Sequence, residues 1–143
     1  MFRGLATISF YADDLAAAKR WYTQVLGVEA YYAYPKEGPP AYIEFRVGDY
    51  EHELGIIDAR YAPPRRGDEP AGSVVYWHVD DLRGTLARLL SLGAEEHLPI
   101  THHGDGSGFS TASVVDPFGN ILGIMNNPHY LSILAGGPVG ETA

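Results

Sequence analysis

The sequence predicts an α+β fold made of two βαβββ modules, and three observations carry that prediction. The chain repeats itself: TISFYADDLAAAKRWYTQVLGVE from Thr7 reads like VVYWHVDDLRGTLARLLSLGAEE from Val74. Three pairs of matching positions recur in order. Asp13-Asp14-Leu15 returns as Asp80-Asp81-Leu82 at an offset of 67, Leu26-Gly27 as Leu92-Gly93 at 66, and Leu54-Gly55-Ile56 as Leu122-Gly123-Ile124 at 68. Finally, each copy passes from a short β-rich run through an Asp pair into a helical pattern, and then into alternating apolar and polar stretches.

Each element has a local reason. An aspartate of each pair can accept hydrogen bonds from the free N–H groups at a helix start. After the first pair, Leu15, Ala18, Tyr22, Val25 and Leu26 fall on one face at spacings of three and four, and Gly27 follows as a left-handed cap. The second helix repeats this with Leu82, Leu86, Leu89 and Leu90 and stops at Gly93. YIEFRV (42–47), HELGII (52–57) and the run from Ser110 to Val115 read as strands. Asp116-Pro117-Phe118-Gly119-Asn120 is a turn, with Pro fixing one φ and Gly free to take a positive one. Stretches 35–40 and 62–72 are rich in Pro and Gly and read as loops, as does THHGDGSGF from Thr101. We therefore expect one domain, 1–143: module one at about 4–61, a linker at about 62–72, module two at about 73–126 and a tail at 127–143. The tail begins as a short helix after Pro128 and ends as a disordered segment.

Composition limits the partners. Ten Lys and Arg against eighteen Asp and Glu give a net charge of −8, which argues against nucleic acid or an anionic membrane, because both need a basic face. There is no cysteine, so disulfides, thiolate metal sites and cysteine nucleophiles are excluded. No apolar run approaches the roughly 20 residues of a membrane span. MFRGLATISFYADD reaches two aspartates before a signal-like apolar region could finish, so a cytoplasmic location is the default expectation.

The motifs YADDLAAAKRWYTQVLG, VDDL and DPFGNILGI resemble the vicinal oxygen chelate superfamily. It groups glyoxalase I, bleomycin-resistance proteins, fosfomycin-resistance enzymes and extradiol dioxygenases, and the likeness runs nearly to Met125. The resemblance implies that each module is a curled mixed sheet with its helix outside, and that two modules form a cup. It also implies a divalent ion in metal-dependent members, held by His or Gln and Glu from the first and last strand of each unit. Those donors suit Zn, Ni, Fe or Mn and leave positions open for a substrate's two oxygens. Carried onto this chain, the four ligand positions fall on Thr7, Gly55, Val74 and Gly123. Neither glycine nor valine can bind a metal through its side chain, so no metal ligand and no cofactor is expected.

Strand alternation assigns the neighbours. Thr7, Ser9 and Tyr11 share one face, as do Val74, Tyr76 and His78, while Ile8, Phe10, Val75 and Trp77 point toward the helices. Tyr42, Glu44 and Arg46 alternate with Ile43, Phe45 and Val47. The shared Leu-Gly-Ile sets the register of HELGII: Leu54 and Ile56 face the helix, Glu53, Gly55 and Ile57 face the cup, and His52 turns away. His52 and Glu53 therefore cannot chelate one ion together. Glycine in a strand interior marks close approach by a ligand or another backbone. The expectation is that Gly55 and Gly123 widen the cup floor for a flat or bulky organic molecule. Tyr11, Tyr76, Ile121 and Met125 would flank it, with Glu44, Arg46, Glu53 and His78 as polar anchors.

The ligand-binding set is thus Thr7, Ser9, Tyr11, Glu44, Arg46, Glu53, Gly55, Tyr76, His78, Gly123 and Met125. Glu53 and His78 are the candidates if there is catalysis, against plainer readings as a salt-bridged carboxylate and a strand-end histidine. Glu44 and Arg46 also read as a cross-strand ion pair. His102 and His103 lie on the Gly-rich loop, either solvated or closing over a ligand. Tyr31, Tyr32 and Tyr34 read as a subunit contact or a core edge. The leading expectation is a metal-independent binder of a small organic molecule, acting as a homodimer. The alternatives are a lyase, isomerase or dioxygenase with displaced metal ligands or metal-free acid–base groups, and a non-catalytic interaction module.

Overall fold

A computed structural model describes residues 1, 5–63, 67–70, 72–104 and 106–137. The stretch read as disordered at the C-terminus, 138–143, lies outside these, as do 64–66 and 71 of the linker and Asp105 of the Gly-rich loop. The chain forms two compact units, Met1–Pro70 with Phe118–Asn120 and Ala71–Pro117 with Ile121–Ala143.

The first unit contains β1 (Thr7–Ala12), α1 (Leu15–Leu26), β2 (Tyr32–Tyr34), β3 (Tyr42–Val47), β4 (His52–Asp58) and a 3-10 turn, Ala59–Tyr61. Its sheet order is β1-β4-β3-β2, with β1 parallel to β4 and the other pairs antiparallel. The second unit repeats the plan. It contains β5 (Val75–His78), α2 (Leu82–Ser91), β6 (Glu95–His102), β7 (Ser110–Val115), β8 (Ile121–Asn126) and a short α3 (Pro128–Leu134), with the sheet order β5-β8-β7-β6. This is the α+β fold of two βαβββ modules that the repeat predicts.

Both helices start as the Asp pairs require. The Asp14 side chain accepts from the Ala17 N–H at 2.9 Å, and Asp81 accepts from the Gly84 N–H at 2.9 Å. Gly27 ends α1 with φ of 71°, a conformation that costs glycine nothing. Each helix buries its apolar stripe on one face of its sheet. In the first unit Leu15, Ala18, Trp21 and Tyr22 meet Phe10, Ile43, Phe45, Leu54 and Ile56. In the second, Leu82, Leu86 and Leu89 meet Ala112, Val114, Leu122 and Ile124. Strand alternation then leaves Thr7, Ser9, Tyr11, Tyr42, Glu44, Arg46, Glu53 and Gly55 on the opposite, helix-free face.

Four sequence expectations need correction. Leu90, placed on the α2 core face, is 39% exposed, because α2 turns it past the edge that Leu86 and Leu89 fill. Trp21 was not assigned to the α1 core face yet is buried edge-on against Tyr22, at 4.9 Å between ring centroids. Thr101 and His102 belong to β6 and not to a loop. Val74 precedes β5 instead of starting it.

The Asp-Pro-Phe-Gly-Asn turn has a structural role that spacing does not reveal. Asn120 is buried, and its side chain clasps the edge strand β1 at one residue. Its Oδ1 accepts from the Tyr11 N–H at 3.0 Å, while its Nδ2 donates to the Tyr11 carbonyl at 2.8 Å. One side-chain amide thus satisfies both backbone groups that an edge strand leaves unpaired. Phe118 reinforces it, packing edge-on against Trp21 at 6.4 Å.

Candidate functional site

The helix-free face of the first sheet gathers five polar side chains from three adjacent strands. Register places Thr7 beside Glu53, Arg46 across from Glu53, and Glu44 across from Gly55. The Thr7 hydroxyl donates to Glu53 Oε1 at 2.6 Å, and Arg46 Nη2 donates to Glu53 Oε2 at 2.8 Å. The same nitrogen lies 3.7 Å from Glu44 Oε1, and the Tyr42 hydroxyl donates to Glu44 Oε2 at 2.6 Å. Arg46 also donates to the Glu51 carbonyl at 3.3 Å, with its guanidinium over the Tyr31 ring at 5.6 Å. One arginine therefore binds two carboxylates, and each carboxylate has a hydroxyl on its outer oxygen.

The two carboxylates have opposite electrostatic settings. The Thr7 hydrogen bond, helped by the Arg46 charge, holds Glu53 below the usual carboxylate range. Burial pushes Glu44 up, and the neighbouring Glu53 charge pushes it further, against the pull of Arg46. The Tyr42 phenol is raised as well, first by burial and then by the Glu53 charge. Two like groups drawn apart in this way suit different tasks, one an ionised anchor and the other a proton carrier.

The expected open floor at Gly55 and Gly123 is corrected by the structure. A Cβ on Gly55 would stand 2.6 Å from Tyr42 Cε2 and 2.7 Å from its hydroxyl. A Cβ on Gly123 would stand 2.6 Å from Tyr76 Cδ1 and 2.8 Å from the Val75 carbonyl oxygen. Each glycine is therefore covered by a tyrosine ring, which replaces the packing that a strand glycine lacks. The glycines make room for the protein's own rings.

The same geometry tests the divalent ion that the resemblance implies, and the residues at the four expected positions do not fit it. A glutamate at 55 or 123 would collide with Tyr42 or Tyr76. Thr7 already donates to Glu53, and Arg46 supplies the positive charge between the carboxylates. Among the described residues no group of three or more His, Asp or Glu is arranged to hold a metal.

The remaining candidate residues divide. Ser9 is exposed on the same face, opposite Gly55, and Tyr11 is half-buried with its backbone held by Asn120. Tyr76, His78, Gly123 and Met125 sit together in the second unit, since Tyr76 registers with Gly123 and His78 with Met125. His78 is largely enclosed. Its side chain is only 8% exposed, and Nδ1 accepts from the Asn127 N–H at 3.0 Å. The two histidines expected on the loop each have a hydroxyl partner: His102 Nδ1, at the end of β6, lies 2.7 Å from Ser110 Oγ, and His103 Nε2 lies 2.7 Å from Thr111 Oγ1. His97 Nδ1 pairs with the fully buried Ser113 Oγ at 3.0 Å. His52, as its register predicts, is exposed beside Tyr50 and apart from the cluster.

A cleft of about 300 Å³ in the second unit opens at the start of α2, lined by Asp80, Asp81, Arg83, Ile100, His102 and Ser110 among others. Asp81 caps the helix and His102 is paired with Ser110, so these polar groups are already satisfied within the chain. Sequence reasoning missed Tyr42 as a site residue, although its alternation with Glu44 was the signal. It also missed Asn127 and Tyr130, for which no sequence pattern existed.

Comparison with known proteins supports this architecture. No curated protein matches the chain. A glyoxalase-related enzyme from Fulvimarina pelagi is similar in structure, with 19% identity, TM-score 0.65, and coverage of 89% of this chain and 90% of the other. The fosfomycin resistance protein FosX from Mesorhizobium loti shares 16% identity at TM-score 0.63, covering 93% and 99%. Lactoylglutathione lyase from Agrobacterium tumefaciens shares 21% at TM-score 0.60, covering 91% and 98%. At these identities the likeness is one of fold. The family model for the Glyoxalase/Bleomycin resistance protein/Dioxygenase superfamily matches residues 4–124, and the chain belongs to that superfamily.

Proposed function

We propose that this protein binds a small organic molecule without a metal ion, on the helix-free face of the first sheet, with Glu53 as the polar anchor. The observation that carries the reading is the setting of Glu53. Thr7 and Arg46 fix both of its oxygens at 2.6 and 2.8 Å, so the carboxylate is preorganised on the helix-free face it shares with Thr7 and Gly55. Preorganised charge recognises a ligand at little ordering cost. The half-buried Tyr42 and the exposed Tyr31 and Tyr32 add aromatic surface beside it. Net charge of −8 favours a ligand carrying a hydrogen-bond donor or positive charge. Binding by a homodimer is part of the proposal, with Tyr31, Tyr32 and Tyr34 along the edge strand β2 as the exposed surface for a second copy.

The test is a screen of small organic molecules followed by backbone amide shift mapping in excess EDTA. Ligands should shift the amides of Thr7, Glu44 and Glu53, and Glu53→Gln should abolish binding while the fold stays intact. Ligands that bind only when a divalent ion is added would refute the reading.

One observation favours a second reading, metal-free acid–base catalysis. Glu44 and Glu53 are pushed in opposite directions while sharing Arg46, which suits a proton donor and acceptor on one substrate. Turnover abolished by Glu44→Gln with ligand affinity retained would separate it from binding alone.

A further inference from the structure

The short helix α3 is attached differently from the rest of its unit. It starts at Asn127, whose Oδ1 accepts from the N–H groups of His129 and Tyr130 at 3.0 and 3.2 Å. It runs seven residues and buries none of them, and Leu131 and Leu134 are 43% and 40% exposed. Its attachment falls on the side of β5 and β8 that carries Tyr76, His78, Gly123 and Met125, opposite α2. The Tyr130 ring stacks on His78 at 5.1 Å with 18° between planes. The Asn127 N–H donates to His78 Nδ1 at 3.0 Å, and the Asn127 amide reaches Met125 Sδ at 3.4 Å.

His78, beneath this helix, is left incomplete. Because Nδ1 accepts a hydrogen bond, the neutral ring carries its proton on Nε2. That Nε2 is buried and has no hydrogen-bond partner; the exposed Asp80 carboxylate stands 3.5 Å away. An unmet buried donor under an aromatic ring belonging to a helix without a core of its own is an unusual combination. Buried polar groups without partners are rare in folded proteins. Segments with few buried contacts open at the low end of the stability range.

We propose that α3 is a removable strap, and that the face beneath it binds a flat aromatic molecule. The ligand stacks on His78 where Tyr130 now lies and offers an acceptor to Nε2. Tyr130 is then an internal competitor, and the affinity measured in the intact protein is lowered by the fraction of molecules with the strap closed. This surface lies in the second unit and does not depend on the Glu53 cluster, so each proposal can fail alone.

The test uses the full-length protein and 2-naphthol, a flat ring with a hydroxyl oxygen, followed by NMR of histidine-labelled samples and by amide exchange. In the wild type 2-naphthol should shift the His78 ring signals and speed exchange at the amides of Leu131 and Ala135. Tyr130→Ala should tighten binding at least about fivefold, the factor expected if the strap is closed about four-fifths of the time. Leu131→Pro, which keeps the ring but breaks the helix, should tighten it as well. His78→Ala should remove binding, while unchanged protection of β7 and β8 amides reports an intact fold. The proposal is overturned if Tyr130→Ala binds no more tightly than wild type, if His78 signals do not move, or if α3 exchange is indifferent to the probe.

Discussion

The two tyrosine-covered glycines predict unequal costs for the same substitution. In Gly123→Ala the new Cβ meets Tyr76 Cδ1 at 2.6 Å, near the root of the ring, and the Val75 carbonyl oxygen at 2.8 Å. That oxygen belongs to the backbone of β5, which is paired with β8 and cannot step aside. Overpacking of this kind costs about 1–3 kcal/mol. The gain from a less flexible unfolded chain returns about 0.4–1 kcal/mol, leaving a net loss of about 1–2. In Gly55→Ala the clash is with the far end of Tyr42, at its Cε2 and hydroxyl. That ring can swing at the expense of its hydrogen bond to Glu44, worth about 1 kcal/mol, so the net change is near zero. For a chain of this size 1 kcal/mol moves the melting temperature by about 2–4 °C. Calorimetry should therefore show Gly123→Ala lowered by about 2–8 °C and Gly55→Ala nearly unchanged. Equal losses for the two variants would refute the reasoning that side-chain end and backbone yield differently.

Further outcomes follow from other parts of the molecule. Asn120→Ala should destabilise by about 2–4 kcal/mol in urea unfolding, because two backbone groups of Tyr11 lose their partner; a loss below about 1 kcal/mol would contradict the clasp. Glu44, with its folded pKa raised, contributes stability that is present below its unfolded value and lost as pH rises through the folded one. Urea unfolding at a series of pH values should therefore find Glu44→Gln relatively more stabilising as pH rises from the unfolded value of the carboxyl through its raised folded one. Glu53 runs the opposite way: its folded pKa is depressed, so its contribution is present above the unfolded value and lost as pH falls through the folded one. Carbon-detected titration of Glu53→Gln should find Glu44 ionising at lower pH than in the wild type, since a neighbouring charge is gone; no movement would show the carboxylates to be independent.

Much of this was legible in the sequence because it follows from period and repeat. The twofold repeat and the Asp pairs located both helices, and strand alternation placed Thr7, Glu44, Arg46, Glu53 and Gly55 on one face. What alternation cannot give is the position of a side chain along its own reach. The ring of Tyr42 leans over Gly55 from a diagonal position, and Tyr76 lies over its direct partner Gly123, so an expected hollow is filled. The Asn120 clasp spans 109 residues of sequence, a separation that no local pattern encodes. His78 reads as a strand-end histidine bonded to a neighbour, with a base as the sharper candidate, but the neighbours that hold it, Asn127 and Tyr130, lie in a tail whose course has no periodic signal. The exposed β6 carries Pro99 and two register shifts, features that blunt an edge strand and also mask its alternation.

The central claim is that Thr7, Gly55, Val74 and Gly123 leave nothing for a divalent ion to bind, and that Arg46 supplies the positive charge at the Glu53 cluster instead. Thermal unfolding of untagged protein with Zn, Ni, Mn or Fe(II), each from sub-stoichiometric to excess, measures this directly. A specific site would add about 2.7 kcal/mol at a hundredfold excess over its dissociation constant. The account predicts an unchanged melting temperature with all four ions; a rise of several degrees that continues with the logarithm of the free ion concentration would contradict it.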